Sequence, residues 1–248
     1  MNDPNLAVVV LAAGRGTRMK SDLPKVLHPL AGRPLLTWVL AAARQVDPAR
    51  LLVVVGYQAE AVRRAVDAPG MEFVIQEEQR GTGHAVLQCR EALRDFDGHL
   101  LILCGDMPLI QGKTLQRLRA HHLARGAACT VLTLKTQAPR DFGRVIRDAE
   151  GRIQKIVEAR DLSAAEKTVD EYNSGVYCFQ KDLLFNSLAD LRPDNDQGEL
   201  YLTDTLEILV RQGHPVETVV TTDEAEIFGI NSVDDLKRAE RLAPPVPS

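Results

Sequence analysis

Behind an apolar run, residues 11–25 of the chain read LAAGRGTRMKSDLPK and bring Gly14, Gly16, Arg15, Arg18, Lys20 and Lys25 into one short stretch. Glycines let successive backbone N–H groups close around an anion. Arg18 adds a planar fork of donors and Lys25 a point charge. Between Gly14 and Arg33 there are five Lys or Arg against a single acid, Asp22, whereas the whole chain carries a formal charge of -4. The positive charge is therefore local, which suits a compact phosphate group and argues against a nucleic-acid backbone. A solvated charged loop is the plainer alternative for the same residues.

Two familiar phosphate loops do not fit. A dinucleotide fingerprint needs a third glycine where Met19 stands, and no G-x-x-x-x-G-K-[ST] is present. A triphosphate-holding loop that delays the first helix to about Pro34 is the reading left. A second candidate is Asp106, a carboxylate just past the apolar run 100–104, where a hard cation such as Mg²⁺ finds oxygen ligands. A helix cap is the alternative there. Gly81, Thr82 and Gly83 precede a helix-like stretch and offer backbone donors and a hydroxyl, although taken alone these residues read better as a plain helix start. Cys104 has no base nearby in sequence and reads as the end of a core strand, and His84 receives no role.

Positioning such groups takes a scaffold. Val-rich apolar runs at 7–12, 51–55, 73–76, 100–104 and 130–134 read as buried strands. Helical spacing fills 35–46, 59–66, 84–93 and 114–123, so strand and helix alternate as in a mostly parallel sheet with helices on both faces. Ligands of such sheets sit beyond the strands' carboxyl ends. Past about residue 140 the rhythm changes to short strands at 143–147, 153–158 and 175–179, read as a lid, followed by helices at 202–211 and 233–241 around a strand at 216–220. A nucleotide half of about 1–140, a lid and return of about 141–241, and a proline-rich tail or linker start at 242–248 are expected.

With 248 residues and 45% apolar content, the chain can bury an ordinary core. Its amino terminus lacks the pattern of a signal peptide, and no run is long enough to span a membrane, so a cytoplasmic location is expected. Cys89, Cys104, Cys129 and Cys178 lie far apart without C-x-x-C or histidine spacing, which disfavours zinc and disulfide scaffolds and favours reduced, buried thiols.

LAAGRGTRMKSDLPKVLHPLAGRPLL resembles the signature of the sugar-1-phosphate nucleotidylyltransferases, in particular the uridylyltransferase part of the bacterial N-acetylglucosamine-1-phosphate uridylyltransferases. Seven further stretches follow in that family's order: QEEQRGTGHAV, GDMPLI, FGRVIRD, IVEARD, YNSGVY, NDQGELYLTD and GINSVDDL. The resemblance implies a Rossmann-like three-layer α/β/α fold of the glycosyltransferase A kind with a small mixed-strand lid. It implies that UTP and N-acetylglucosamine 1-phosphate are joined to UDP-N-acetylglucosamine with release of pyrophosphate.

By resemblance, Leu11, Ala12, Ala13, Gly14, Lys25, Gln76, Gly81, Thr82, Gly105 and Asp106 bind the nucleotide, with Gln76 meeting the base edge. Arg18 and Lys25 are catalytic, Gly143, Glu158, Asn173 and Asn231 hold the amino-sugar, and Asp106 and Asn231 share Mg²⁺. Met107 and Ser174 depart from the family's usual Val or Thr and its usual Thr. The family's acetyl-transferring hexapeptide β-helix has no counterpart period in these residues, so uridylyl transfer alone, by a monomer or weak oligomer, is expected. A related transferase with another sugar or nucleotide, or a non-catalytic nucleotide-sugar-binding module, would keep many of the same motifs. A nicotinamide dehydrogenase is disfavoured by Met19.

Overall fold

The computed structural model describes residues 3–138 and 140–243. Its first strand, β1 (Asp3–Ala12), leads through the glycine loop to a small hairpin of β2 (Pro29–Leu30) and β3 (Arg33–Pro34). There follow α1 (Leu35–Arg44), β4 (Pro48–Val55), α2 (Ala59–Val66), β5 (Met71–Ile75) and α3 (Thr82–Leu87). Then come β6 (His99–Cys104), α4 (Gly112–Arg125), β7 (Cys129–Lys135), β8 (Arg144–Arg147) and β9 (Ile153–Val157). The chain returns through β10 (Glu171–Gln180), α5 (Lys181–Ala189), α6 (Asp204–Arg211), β11 (Val216–Thr221) and α7 (Val233–Leu242).

One sheet runs β11-β7-β10-β6-β1-β4-β5, with β8 and β9 attached beside β10. β1 is parallel to both β4 and β6, β4 to β5, and β7 to β11. The apolar run in β1 explains its central place. Leu6, Val8 and Val10 meet α1, α2 and α4 on one face, while Ala7 and Val9 meet α3, α5 and α6 on the other. All five are fully buried, as a strand covered on both faces requires. The expected three layers are present, with the sheet mostly parallel.

Three expectations need correction. Residues 175–179 are not part of a lid but of β10, which runs antiparallel between β6 and β7 inside the main sheet. Val176 and Cys178 pack on one face and Tyr177 and Phe179 on the other, the continuous apolar pattern of a central strand. The polar residues before them hid that pattern. The helix expected at 84–93 ends at Leu87 and continues as turns, and α5 was not anticipated. Of the expected tail, residues 244–248 lie outside the described residues. All four cysteines are free, and Cys104 is half-buried rather than buried. No helix among the described residues is long and apolar enough to cross a membrane.

Candidate active site

The parallel strands β1, β4, β5 and β6 end side by side, and their carboxyl ends carry the site. Gly105 N–H donates to the Leu11 carbonyl (2.9 Å), Tyr57 N–H to Ala13 (3.1 Å) and Gln76 N–H to Val55 (2.8 Å), so the first residues beyond each strand stay in register. After Ala13 the chain turns at Gly16, whose φ of +66° only glycine adopts cheaply. A Cβ there would collide with the Cβ of Lys25. Met19, in the place of the missing third glycine, is 1% exposed and pins the loop to the core. Arg18 beside it is exposed.

Lys25 is the hub. Its Nζ donates to Asp106 Oδ2 and to Asn231 Oδ1, the latter at 2.9 Å. The Lys25 and Asp106 side chains are 16% and 18% exposed, so this ion pair is largely withdrawn from water. Asn231 arrives from far along the chain because Ile230 N–H donates to the Asp106 carbonyl (2.9 Å). It is held by a box at the start of α7: Ser232 Oγ accepts from Asp235 N–H, and Asp235 Oδ2 accepts from the N–H groups of Asn231 (3.0 Å) and Ser232 (2.8 Å). The acid that closes this box is Asp235, while Asp234 is exposed beside Lys237. Among the described residues no cluster of three or more His, Cys, Asp or Glu is placed to hold a metal. Asp106 and Asn231 nevertheless aim two oxygens at one cationic nitrogen, which is the donor set a hard divalent ion uses when phosphates and water complete its shell.

Lys25 and Asp106 border one cavity, which joins a second. One, of about 270 Å³, is lined by Leu11, Ala12, Ala13, Gly14, Lys25, Gln76, Gly81, Thr82 and Asp106, with Gln79, Cys104 and Glu199 beside them. It gathers every expected nucleotide contact except Gly105, which is buried behind Leu11. The other, of about 210 Å³, is lined by Gly143, Glu158, Asn173, Gly175, Tyr177 and Thr203, and shares Leu11, Thr82 and Cys104 with the first. Asn231 is not in this second cavity. It faces a larger cleft of about 510 Å³ with Arg18, Glu158, Arg140, Arg160 and Arg238. Arg18 and Lys25 therefore line different spaces.

The second cavity is built by an irregularity in β10. Pairing with β7 shifts between Asn173 and Tyr177, and Gly175 takes φ +81° at the bulge. Cys104 Sγ donates to the Gly175 carbonyl (3.5 Å), and a Cβ on Gly175 would lie 3.0 Å from that sulfur. Burial pushes the Cys104 thiol up to about 12, so it is a neutral wall and not a nucleophile. Asn173 Oδ1 accepts from Gly175 N–H (3.0 Å), and its Nδ2 lies 2.7 Å from the Tyr177 hydroxyl. Burial raises Glu158 above the ordinary carboxylate value, and the Thr203 hydroxyl opposes this by donating to Oε1 (3.0 Å). Buried Arg144 supports the loop before Gly143, donating to the carbonyls of Phe142 and Arg140 and lying 4.1 Å over the Tyr172 ring.

Sequence reasoning missed several of these groups. Thr203, Tyr177, Gln79 and Glu199 lie within stretches that the resemblance picked out but received no role there, and the fold brings them to the cavities. Thr82 is partly committed, since its Oγ1 accepts from Leu202 N–H (3.0 Å). His84, which carried no role, lies 3.0 Å from the Gln76 amide.

A glycine loop, a cation shared by a carboxylate and an amide, and two joined cavities at the ends of parallel strands define a nucleotidyltransferase. The MobA-like NTP transferase domain family matches residues 8–222, and the chain belongs to that family. It is similar to the bifunctional protein GlmU of Pelobacter propionicus, at 47% identity over 239 residues covering 96% of this chain and 52% of that protein. It is also similar to the bifunctional protein GlmU of Desulfotalea psychrophila, at 41% identity covering 95% of this chain and 69% of that one. The chain spans about half the length of most of these curated relatives. Among solved structures, a putative glucose-1-phosphate thymidylyltransferase from Bacillus anthracis superimposes with a TM-score of 0.79 at 18% identity, covering 98% of this chain and 96% of that one. A UDP-glucose pyrophosphorylase superimposes with a TM-score of 0.76 at 16% identity, covering 95% of this chain and 97% of that one. These two likenesses establish the fold.

Proposed function

We propose that this chain joins UTP and N-acetylglucosamine 1-phosphate to give UDP-N-acetylglucosamine and pyrophosphate, a precursor reaction for peptidoglycan and lipopolysaccharide. The observation that carries the reading is the meeting of Lys25, Asp106 and Asn231 at one nitrogen, with Lys25 and Asp106 on the wall of a nucleotide-sized cavity that joins a smaller one through Leu11, Thr82 and Cys104. A phosphate oxygen of the sugar phosphate attacks the α-phosphorus of UTP, the bond to the β-phosphate breaks, and pyrophosphate leaves with its electrons. No acid or base is required, so the protein's work is alignment and charge. Residues Leu11, Ala12, Ala13 and Gly14 hold the nucleotide, Gln76 and Gly81 hold the base edge, and Thr82 lies where nucleotide and sugar meet.

Lys25 turns from Asp106 and Asn231 toward the α-phosphate, and Arg18 steadies the departing pyrophosphate. Asp106 and Asn231 are the residues that would hold Mg²⁺, whose contribution would be to offset charge on the phosphates during transfer. Glu158 and Asn173 take sugar hydroxyls and Gly143 admits the N-acetyl group to its backbone. Product analysis with UTP, dTTP, CTP and ATP against N-acetylglucosamine 1-phosphate and glucose 1-phosphate tests the reading. Preferred formation of UDP-N-acetylglucosamine supports it, and preference for another pair replaces it.

A further inference from the structure

Gln76 is 3% exposed, and both hydrogens of its amide are committed. Nε2 lies 3.2 Å from the Gly81 carbonyl and 3.0 Å from Nδ1 of His84. A carbonyl oxygen only accepts, so the Gly81 contact decides which end of this amide is nitrogen. The second hydrogen then points at His84 Nδ1, which must present its lone pair, leaving the ring proton on Nε2.

The far side of the ring holds a conflict. Gln88 Nε2 sits 3.1 Å from His84 Nε2 and also donates to the His84 carbonyl at 3.2 Å. Two N–H groups cannot share one line, so one of the two amides must yield. Gln88 is half-buried at the end of α3, whereas Gln76 is buried and held by Gly81. The strain is relieved at Gln88, and the orientation of Gln76 stands.

With both hydrogens turned inward, the atom that Gln76 keeps for a ligand is Oε1, which only accepts. Gln76 lines the nucleotide-sized cavity. Uracil and thymine present N3–H, a donor, whereas cytosine presents a lone pair at N3. We propose that His84 is the positioning residue for base choice: its Nδ1 locks the Gln76 amide with Oε1 toward the ligand, so that the site takes pyrimidines bearing N3–H and rejects cytosine. The inference rests on the reading of this cavity as the uridine site. It adds a residue that touches no substrate but, as the second acceptor beside the Gly81 carbonyl, holds its neighbour in the orientation that Gly81 sets.

The test compares kcat/KM for UTP and CTP in the wild type, His84→Lys, His84→Gln and His84→Leu, with N-acetylglucosamine 1-phosphate as co-substrate. Lys carries donors only, so it draws Oε1 inward and turns the amide nitrogen to the base. The UTP to CTP preference is expected to fall about tenfold or more in His84→Lys and severalfold in His84→Leu. It should persist within about threefold in His84→Gln, which restores an acceptor. KM for the sugar phosphate should not move, a split that a general loss of folding would not produce. If His84→Lys fails to fold, His84→Leu with calorimetric UTP and CTP binding decides. A UTP-preferring wild type whose preference survives in the folded Lys or Leu variant overturns the role of His84. A wild type that prefers CTP or a purine nucleotide overturns the uridine reading itself.

Discussion

Replacing Lys25 by Met removes one charge from the wall of the nucleotide-sized cavity and keeps most of the side chain's volume. The Lys25 side chain is only 16% exposed, so a phosphate about 4 Å away would feel its charge through an effective dielectric near 20, worth about 4 kcal/mol. Against this stands what Lys25 gives up, because its hydrogen bonds to Asp106 and Asn231 must be released first. Charge-assisted bonds of this kind contribute about 1.5–3 kcal/mol each. These bonds offset much of the charge term, so the expected loss is scaled instead on the removal of one preorganised donor in other enzymes, about 3 kcal/mol or about a hundredfold in kcat. Steady-state pyrophosphate release should show that fall with KM for UTP changed by less than about threefold. The same variant should need less Mg²⁺ for half-maximal activity, since the ammonium no longer occupies the oxygens of Asp106 and Asn231. An unchanged kcat with a raised KM for UTP would refute the reasoning, because it would put Lys25 on a phosphate whose charge does not change.

Three other changes follow from the same geometry. Arg18→Ala should lower kcat by about tenfold to a hundredfold with little effect on sugar phosphate KM, since Arg18 lines the larger cleft and not the cavity proposed for the sugar; steady-state kinetics read both. Asn173→Ala should weaken sugar phosphate binding by about tenfold, from roughly 1–3 kcal/mol for a buried hydrogen-bond partner, while calorimetry finds UTP binding unchanged. Thr203→Val should raise Glu158 further, because it removes the donor that opposes burial. A carboxyl group raised in the folded state costs stability as pH climbs past its ordinary value of 4.5. The melting-temperature gap between variant and wild type should therefore widen from below pH 4.5 toward neutrality, and a gap independent of pH would rule out the Glu158 link.

Much of this was legible because the signals are local. A run of branched apolar residues such as Leu6–Val10 can only be a strand buried on both faces, and a glycine loop behind it can only lie at the strand's carboxyl end. Asp106 was visible for the same reason. What the sequence hides is order across the sheet: nothing in VYCF says that β10 inserts antiparallel between β6 and β7, and the bulge at Gly175 that opens the second cavity depends on that insertion. Thr203 and Tyr177 therefore stood inside noticed stretches without a role of their own. His84 sat on a short helix that could equally have faced water, and its partner Gln76 is joined to it only through the turn at Gly81. Asn231 was found through resemblance, since the bond from Ile230 to Asp106 that delivers it is a tertiary contact.

Asp106, with Lys25 and Asn231, is the proposed centre of nucleotidyl transfer. Pyrophosphate release from UTP and N-acetylglucosamine 1-phosphate in Mg²⁺, by wild type and Asp106→Asn at equal concentration, tests it most directly. The substitution keeps the shape and removes the charge, so a fall of about a hundredfold or more is expected, with the melting temperature changed by only a few degrees. Full turnover by Asp106→Asn would contradict the account.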